Sequence, residues 1–290
     1  MGNTAPRRRI PAFAAGLASL VMASGLAAAP AQAVDKVHYY AALGDSYAAG
    51  QGAGPYLDNC FRSDNAYSEL ADALKTVKVV TNSACTGTKT QDIVETQLGQ
   101  LNRKTDLVTI TAGGNNIGFG DIVGYCLTAV KDPTNPAAAQ ACDLATANAS
   151  ALIGSGQLTR DVVAMIQSVR AAAPNAKIVV TGYPYLFDPL TSPPTDAMSL
   201  FIQHATVLAN GLDASIAAAA DAADAASDDD PRVQYVDVRA AFTGHGALSA
   251  PIDRWINFDP LTPLSPDNLH PNADGYKAYF AALRDKGVYK

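Results

Sequence analysis

Residues 38–50 read HYYAALGDSYAAG, and the rest of the chain is best interpreted outward from them. The first part, His38–Leu43, is a short apolar run that ends at Gly44, which is typical of a buried β-strand. Ser46 follows, between small residues, where such a strand ends. A serine placed there is open to close approach, and its backbone N–H can face a developing oxyanion. The stretch predicts a strand that carries a candidate nucleophile, although an ordinary turn or capping serine has the same local pattern.

Other short runs rich in β-branched residues predict further strands at Val77–Val80, Leu107–Thr111, Lys177–Thr181 and Val233–Val238. Stretches with apolar residues at helical spacing alternate with them, at Asn65–Leu74, Thr90–Leu101, Thr159–Ala173, Leu200–Ala226 and Asn272–Leu283. This alternation predicts an α/β fold, with a parallel sheet of about five strands covered by helices on both faces. Ligands bind at the carboxyl ends of the strands in such sheets, so the loops after the strands are the candidate site.

The first 33 residues have the layout of a secretory signal peptide. Arg7–Arg9 precede an apolar stretch at residues 11–30, and Ala31–Ala33 fits a small-x-small cleavage site. A membrane anchor is the alternative, since about 18 apolar residues are enough to span a bilayer. The consecutive arginines leave a twin-arginine export route open. We expect removal of residues 1–33, no stable membrane span, and a secreted single domain of residues 34–290.

The charge balance and the composition argue against several classes of protein. The 290 residues include 21 Lys and Arg against 27 Asp and Glu, a formal net charge of −6. Residues 1–33 hold three of the basic residues and no acidic one, so the expected mature chain carries −9. So acidic a surface is a poor match for a phosphate backbone, and we expect no nucleic-acid partner. With 48% hydrophobic and 17% charged residues, a globular chain is expected. We expect a monomer.

All the cysteines lie in the expected mature chain, at Cys60, Cys85, Cys126 and Cys142. An even number of cysteines in an oxidising compartment predicts two disulfides. Three pairings are possible, and we favour the pairs nearest in sequence, Cys60–Cys85 and Cys126–Cys142. A zinc site is the alternative, but the chain has no CxxC motif and its histidines are scattered, so we expect no metal.

Two more loops after predicted strands carry candidate oxyanion donors. Residues 113–116 read GGNN, and the Asn115 side-chain amide can donate to an oxyanion. Gly87, after the second strand, can offer an unshielded backbone N–H. Each feature alone is equally typical of a turn. The glycines of residues 50–54, GQGAG, lack the GxGxxG spacing of a dinucleotide site, and we expect no cofactor.

The candidate base lies in residues 265–272, which read SPDNLHPN. An imidazole such as that of His270 is suited to accepting a serine proton near neutral pH. Asp267, three residues earlier, is the candidate acid that would hold the ring in the right tautomer. The alternative is that His270 is an ordinary loop residue before the last helix. His245, in a glycine-flanked loop, is a weaker substitute for the base.

Together these segments resemble the SGNH, or GDSL-type, hydrolases, and most of all the secreted bacterial lipases and esterases of that family. The resemblance runs from about residue 38 onward. It rests on four blocks in the family's order, GDSYAAG at 44–50, Gly87, GGNN at 113–116 and DNLHPN at 267–272. TGYPYLF at 181–187 is also similar to a segment of the bacterial members. The resemblance implies a flavodoxin-like three-layer α/β/α fold.

By position, the resemblance implies that Ser46 is the nucleophile, His270 the base and Asp267 the acid of a serine hydrolase. It further implies an oxyanion hole formed by the backbone N–H groups of Ser46 and Gly87 and by the side chain of Asn115. No metal or other cofactor is implied. The expected activity is therefore hydrolysis of carboxylic esters.

The chain departs from the family pattern in three places. Tyr47 stands where the motif has leucine, and we expect the change to matter little, because that side chain takes no part in the chemistry. Asn116 replaces an aspartate that often follows the catalytic asparagine. Some secreted relatives carry a third disulfide that this chain lacks. Others orient the histidine through a backbone carbonyl, which leaves the role of Asp267 open.

The expected substrate is a lipid or another acyl ester. Two predicted loops are apolar, and they predict room for an acyl chain, although such residues also fill cores. Their apolar side chains are Phe119, Ile122, Val123 and Tyr125 in the first and Tyr185, Leu186 and Phe187 in the second. A carbohydrate acetyl ester is the alternative substrate. The alternative function is that of a secreted binding protein without turnover.

Overall fold

The strands of the structure are β1 (His38–Gly44), β2 (Val77–Asn82), β3 (Leu107–Thr111), β4 (Lys177–Thr181) and β5 (Val233–Val236). They form one parallel sheet in the order β2-β1-β3-β4-β5. This computed structural model describes residues 1–2, 36–226, 232–262 and 265–290. The predicted signal peptide, apart from its first two residues, lies outside the described part. Residues 36–290 group into one compact unit.

The α-helices of the described residues are α1 (Ser46–Ala49), α2 (Tyr67–Leu70), α3 (Thr90–Thr96), α4 (Phe119–Lys131), α5 (Pro136–Gly154), α6 (Gln157–Ala172), α7 (Ala197–Ala225) and α8 (Ala273–Asp285). Helix α6 packs against α3 and α7, and α8 packs against α2. Right-handed crossovers between parallel strands put these two groups on opposite faces of the sheet. The predicted α/β fold, a parallel sheet of about five strands covered by helices, is confirmed.

The boundaries differ from the predicted ones where local sequence is ambiguous. The predicted helix Asn65–Leu74 is the short helix α2 followed by a 3₁₀ turn, and Thr90–Leu101 is likewise split into α3 and a 3₁₀ turn. The segment around Phe119, interpreted as an apolar loop, is helix α4. Helix α5, which packs against α4, was not predicted from the sequence.

The central strands are buried on both faces, as expected for a sheet covered by two helical layers. Every residue of β3 is buried, whereas in β2 at the edge only Val77 is buried and the other residues are partly or fully exposed. Beneath the strand ends, buried hydroxyls satisfy one another, with Thr111 Oγ1 2.7 Å from Thr181 Oγ1 and Tyr279 Oη donating to the Gly182 carbonyl at 2.6 Å. This network of buried hydrogen bonds supports the loops that follow β1, β3 and β4.

Two disulfides join loops and helices near the carboxyl edge of the sheet. Cys60–Cys85 links the segment after α1 to the loop after β2, and Cys126–Cys142 links α4 to α5. The loops that they close span 25 and 16 residues. Each bond is expected to stabilise the fold by about 3 kcal/mol, mainly by restricting the unfolded chain. None of the helices in the described residues has the length and hydrophobicity that a membrane crossing requires.

Candidate active site

The turn after β1 holds Ser46 at the first position of helix α1. Gly44 has φ +133°, and a Cβ there would collide with the Thr111 carbonyl oxygen, so the sharp turn depends on glycine. Asp45 caps the helix, and its carboxylate accepts a hydrogen bond from the Tyr47 N–H at 3.0 Å. The N–H groups of a first helical turn have no intrahelical partner. The Ser46 N–H is therefore available to an oxyanion.

The imidazole of His270 contacts the serine directly, with Nε2 2.8 Å from Ser46 Oγ. On the other side of the ring, Nδ1 lies 3.0 Å from the carbonyl oxygen of Asn268. A carbonyl only accepts hydrogen bonds, so the proton of the neutral ring is assigned to Nδ1. That tautomer leaves the Nε2 lone pair facing the serine hydroxyl, which is the arrangement that a general base requires.

Burial lowers the pKa of His270 from 6.5 to about 4, against the opposing effects of the Asn268 carbonyl and the Asp267 charge, which raise it. The cause is desolvation, because an imidazolium in this partly buried position loses hydration. At pH 7 the ring is therefore neutral and ready to accept a proton.

The carboxylate of Asp267 is directed away from the expected contact. It accepts a hydrogen bond from the hydroxyl of Tyr56, whose oxygen in turn accepts one from the Gly52 N–H at 2.9 Å. Between Asp267 and His270, Leu269 adopts a left-handed backbone with φ +59°, and this turn brings the Asn268 carbonyl to Nδ1. Among the described residues, the expected partner of the ring, Asp267, is thus replaced at Nδ1 by a backbone carbonyl.

Tyr47, the residue that departs from the family motif, contacts the histidine loop. Its hydroxyl donates to the Leu269 carbonyl at 2.5 Å, and its ring lies 5.1 Å from the His270 ring, centroid to centroid. Left-handed backbone is unfavourable for a residue such as leucine and persists only where neighbours hold it. This contact is not predictable from the motif, in which the side chain at this position was expected to matter little.

The two other expected oxyanion donors line the same cavity as Ser46 and His270. Gly87 has φ +77°, a conformation that favours glycine. The Asn115 amide donates one hydrogen bond to the Thr88 carbonyl at 3.0 Å, and its second N–H is available to a ligand.

The neighbouring Asn116 holds the start of α3 on the GGNN loop. Its amide donates to Thr90 Oγ1 at 2.8 Å, and its carbonyl oxygen accepts from the Thr90 N–H at 3.1 Å. These two hydrogen bonds join the loop after β3 to the start of α3, which follows the loop after β2. They lie directly beside Asn115 in the sequence.

A buried pair that the sequence analysis missed connects the serine turn to the GGNN loop. Tyr183 Oη donates to Asp45 at 2.5 Å and accepts from the Gly114 N–H at 3.1 Å. Burial raises the pKa of Asp45 from 3.8 to about 7, opposed by the hydrogen bonds from Tyr183 and the Tyr47 N–H. Tyr183 belongs to the TGYPYLF segment, which was the available signal in the sequence.

A cavity of about 320 Å³ opens beside Ser46 and is walled mainly by apolar side chains of α4, α7 and the segment after β4. The predicted acyl-chain residues that line it are Phe119, Ile122, Val123, Tyr185, Leu186 and Phe187. Tyr125 does not line it and is partly exposed. Cavities of this size that combine an apolar wall with a few polar groups are typical of small-molecule sites.

His245, the alternative candidate base, does not line the cavity that contains Ser46. The His245 ring is stacked on Trp255 at 3.5 Å, and its Nδ1 lies 2.5 Å from the Asp253 carbonyl oxygen. In the described ranges, no group of three or more His, Cys, Asp or Glu side chains is arranged to hold a metal ion.

Comparison with known proteins gives one consistent result. The model of the GDSL-like lipase/acylhydrolase family matches residues 42–278. A lipase of Streptomyces rimosus is 34% identical over 274 residues, which cover 91% of both chains. The crystal structure of an extracellular lipase from Streptomyces rimosus matches with a TM-score of 0.72 and 29% identity, over 86% of this chain and 99% of that one. A phospholipase A1 of Streptomyces albidoflavus matches with a TM-score of 0.71 and 32% identity, over the same shares.

Proposed function

Because the chain belongs to the GDSL-like lipase/acylhydrolase family, we propose that it hydrolyses carboxylic acyl esters with Ser46 as nucleophile and His270 as base. The observation that carries the proposal is the 2.8 Å contact between Ser46 Oγ and His270 Nε2 at the end of an apolar cavity. In this mechanism His270 is oriented by the Asn268 carbonyl, and Asp267 acts only through its charge.

Catalysis proceeds in two similar halves. His270 Nε2 accepts the Ser46 proton while Oγ attacks the ester carbonyl carbon, and the resulting oxyanion is stabilised by donors from Ser46, Gly87 and Asn115. The imidazolium then protonates the leaving alcohol, which departs as the acyl-enzyme forms. Water next attacks the acyl-enzyme with His270 again as base, which releases the acid and restores the serine.

The walls of the cavity favour an acyl chain over a sugar. Its helical side is formed by residues such as Ile122, Phe201 and Leu212. These side chains offer few hydrogen-bond partners to the hydroxyls of a carbohydrate, and leaving such hydroxyls unpaired is costly. We therefore place a lipid or other apolar acyl ester ahead of a carbohydrate acetyl ester.

Secretion, oligomeric state and partners belong to the same proposal. Two disulfides are typical of a protein that matures in an oxidising compartment. With the signal peptide expected at residues 1–33, they support secretion. We further propose that the protein acts as a monomer, with no nucleic-acid partner.

The test of the proposed function is hydrolysis of p-nitrophenyl esters from acetate to palmitate, by the protein beside its Ser46→Ala variant. Serine-dependent turnover on longer chains supports the acyl-ester hydrolase. Turnover confined to acetate favours the carbohydrate acetyl ester, and no serine-dependent turnover on any ester favours a binding protein.

The Asn115→Ala variant is expected to lose about 10²–10³-fold in kcat with little change in KM. The Asn115 amide would act on the oxyanion, which exists only along the reaction path, so its loss leaves ground-state binding almost intact. Steady-state kinetics on p-nitrophenyl butyrate measure both constants. Asn116→Ala is the matched control, because it removes the adjacent amide, and a much smaller loss is expected. A raised KM with unchanged kcat would remove Asn115 from the oxyanion hole.

Asp267→Asn is expected to cost less than about tenfold in kcat, because the variant keeps an acceptor for the Tyr56 hydroxyl and leaves the Asn268 carbonyl on Nδ1. The catalytic base is the neutral ring, so kcat/KM falls as the pH falls through the pKa of His270, about 4. The charge of Asp267 raises this pKa, so its removal moves the acid limb to lower pH. The pH profile of kcat/KM measures the shift. A loss of 10³-fold or more would instead make Asp267 the acid of a triad.

A further inference from the structure

A second cavity, of about 180 Å³, lies beyond the catalytic cavity, between α4, α5 and the first part of α7. Its lining includes both halves of the Cys126–Cys142 disulfide, which fixes α4 and α5 to each other. The remaining lining is largely apolar. Of its polar side chains, Asp143 and His204 lie at exposed positions, and Thr146 is half-buried with its hydroxyl 3.9 Å from Cys126 Sγ. No step of the proposed mechanism uses this space.

Four side chains, Ile122, Phe201, Ala205 and Leu208, line both cavities and so form the wall between them. Three of them are large, whereas Ala205 contributes only a methyl group. Phe201 is held in place by an edge-to-face contact with Phe187, with ring centroids 5.6 Å apart. Ala205 therefore fills the least space in the wall between the two cavities.

The two cavities follow one direction along α7. The catalytic cavity contacts this helix as far as Leu212, and the second cavity contacts it as far as Ala197. At a rise of 1.5 Å per residue, the fifteen residues between them correspond to about 22 Å. One leaflet of a bilayer, which a fatty acyl chain fills, is about 15 Å thick in its hydrocarbon part. The combined space is thus long enough for such a chain.

From this shared wall we infer that the second cavity binds the distal methylenes of a long acyl chain, which passes over Ala205. The inference rests on the proposed function and adds to it the place where the far part of the acyl chain binds. The catalytic cavity holds the carbonyl end of the acyl chain, and a short acyl group remains there. A longer chain crosses the wall and transfers further methylenes from water to apolar surface, which favours its transition state.

The test is the chain-length profile of kcat/KM for p-nitrophenyl butyrate, octanoate and laurate. Ala205→Phe fills the gap in the wall, and we expect kcat/KM for laurate to fall about 10–100-fold, as for the loss of two or three buried methylenes. Because Ala205 also lines the catalytic cavity, the readout for this variant is the ratio of laurate to butyrate turnover, which is expected to fall. Val207→Phe is the matched control, because Val207 lies on the same helix at an exposed position outside both linings.

A second variant guards against an indirect effect on the catalytic cavity. Ala129 lines the second cavity but not the first, so Ala129→Phe is expected to lower laurate turnover selectively as well. Retained butyrate hydrolysis by Ala129→Phe shows that this variant is folded, and circular dichroism checks the fold of Ala205→Phe. If both variants keep the wild-type ratio of laurate to butyrate turnover, the inference is overturned while the esterase stands. If the wild type has no turnover that Ser46→Ala abolishes, the proposed function itself fails.

Discussion

Alanine in place of Ser46 is expected to lower kcat for ester hydrolysis by about 10⁶-fold. The variant keeps the oxyanion donors and the acyl cavity but has no atom to form the acyl-enzyme. What remains is only the catalysis that binding and the oxyanion hole give to attack by water. Substrate affinity is expected to change little, because Ser46 Oγ contributes only a small part of the cavity wall.

Stopped assays at high enzyme concentration with p-nitrophenyl butyrate measure this residual rate. Ser168→Ala is the matched control, since the hydroxyl of Ser168 bonds within α6 to the Ala164 carbonyl at 2.9 Å and lies outside both cavities. A phosphonate ester adds an independent readout, because it should attach to Ser46 in the wild type and not to the variant. Turnover within tenfold of the wild type would refute the assignment of the nucleophile.

His270→Ala is the second large effect, with an expected loss in kcat of about 10⁵–10⁶-fold. Without the ring, nothing in contact with Ser46 Oγ accepts its proton, and a neutral hydroxyl is a weak nucleophile. Because serine and histidine act as a unit, the double variant Ser46→Ala/His270→Ala is expected to be no slower than either single variant by more than a small factor. The readout is kcat for the two single variants and the double variant.

His245→Ala is the matched control for this second prediction. Its ring is stacked on Trp255, and we expect nearly full activity after its removal. The reverse pattern, in which His245→Ala is inactive and His270→Ala is active, would exchange their roles. Circular dichroism and thermal unfolding of each variant check that the fold is kept.

The sheet was predictable because its strands carry their own signal. LVTIT at β3 and KIVVT at β4 are β-branched runs, and the predicted and observed bounds are identical. Both strands are buried nearly throughout, and a run this short that is rich in β-branched residues favours a strand over a helix. The order of the blocks along the chain then indicated which loops meet at the carboxyl edge.

Helices α4 and α5 were missed because their sequences resemble other structures. α4 contains Gly120 and Gly124, which have low helix propensity. α5 is rich in alanine, and its few large apolar residues do not form one clear stripe. What stabilises the pair is tertiary, namely packing on each other and the Cys126–Cys142 bond, and single-sequence periodicity does not report it.

The candidate nucleophile and base were found from residue types and positions, but the environment of the base was not. Sequence spacing favoured Asp267 as partner of His270, whereas the left-handed turn at Leu269 brings the Asn268 carbonyl to the ring. Leucine rarely adopts that conformation, so nothing local predicts it. The residue in this conformation has a distant contact, because the Tyr47 hydroxyl, 222 residues away in sequence, donates to the Leu269 carbonyl.

Because 224 residues separate Ser46 from His270, the two residues are synthesised at different times. At roughly 5–20 residues per second, a ribosome adds the histidine about 10–45 s after the serine. The histidine loop is then held by α8, which follows it and whose Tyr276 hydroxyl donates to the Gln51 carbonyl at 2.9 Å. A nascent chain therefore carries the proposed nucleophile without its proposed base until His270 has been added.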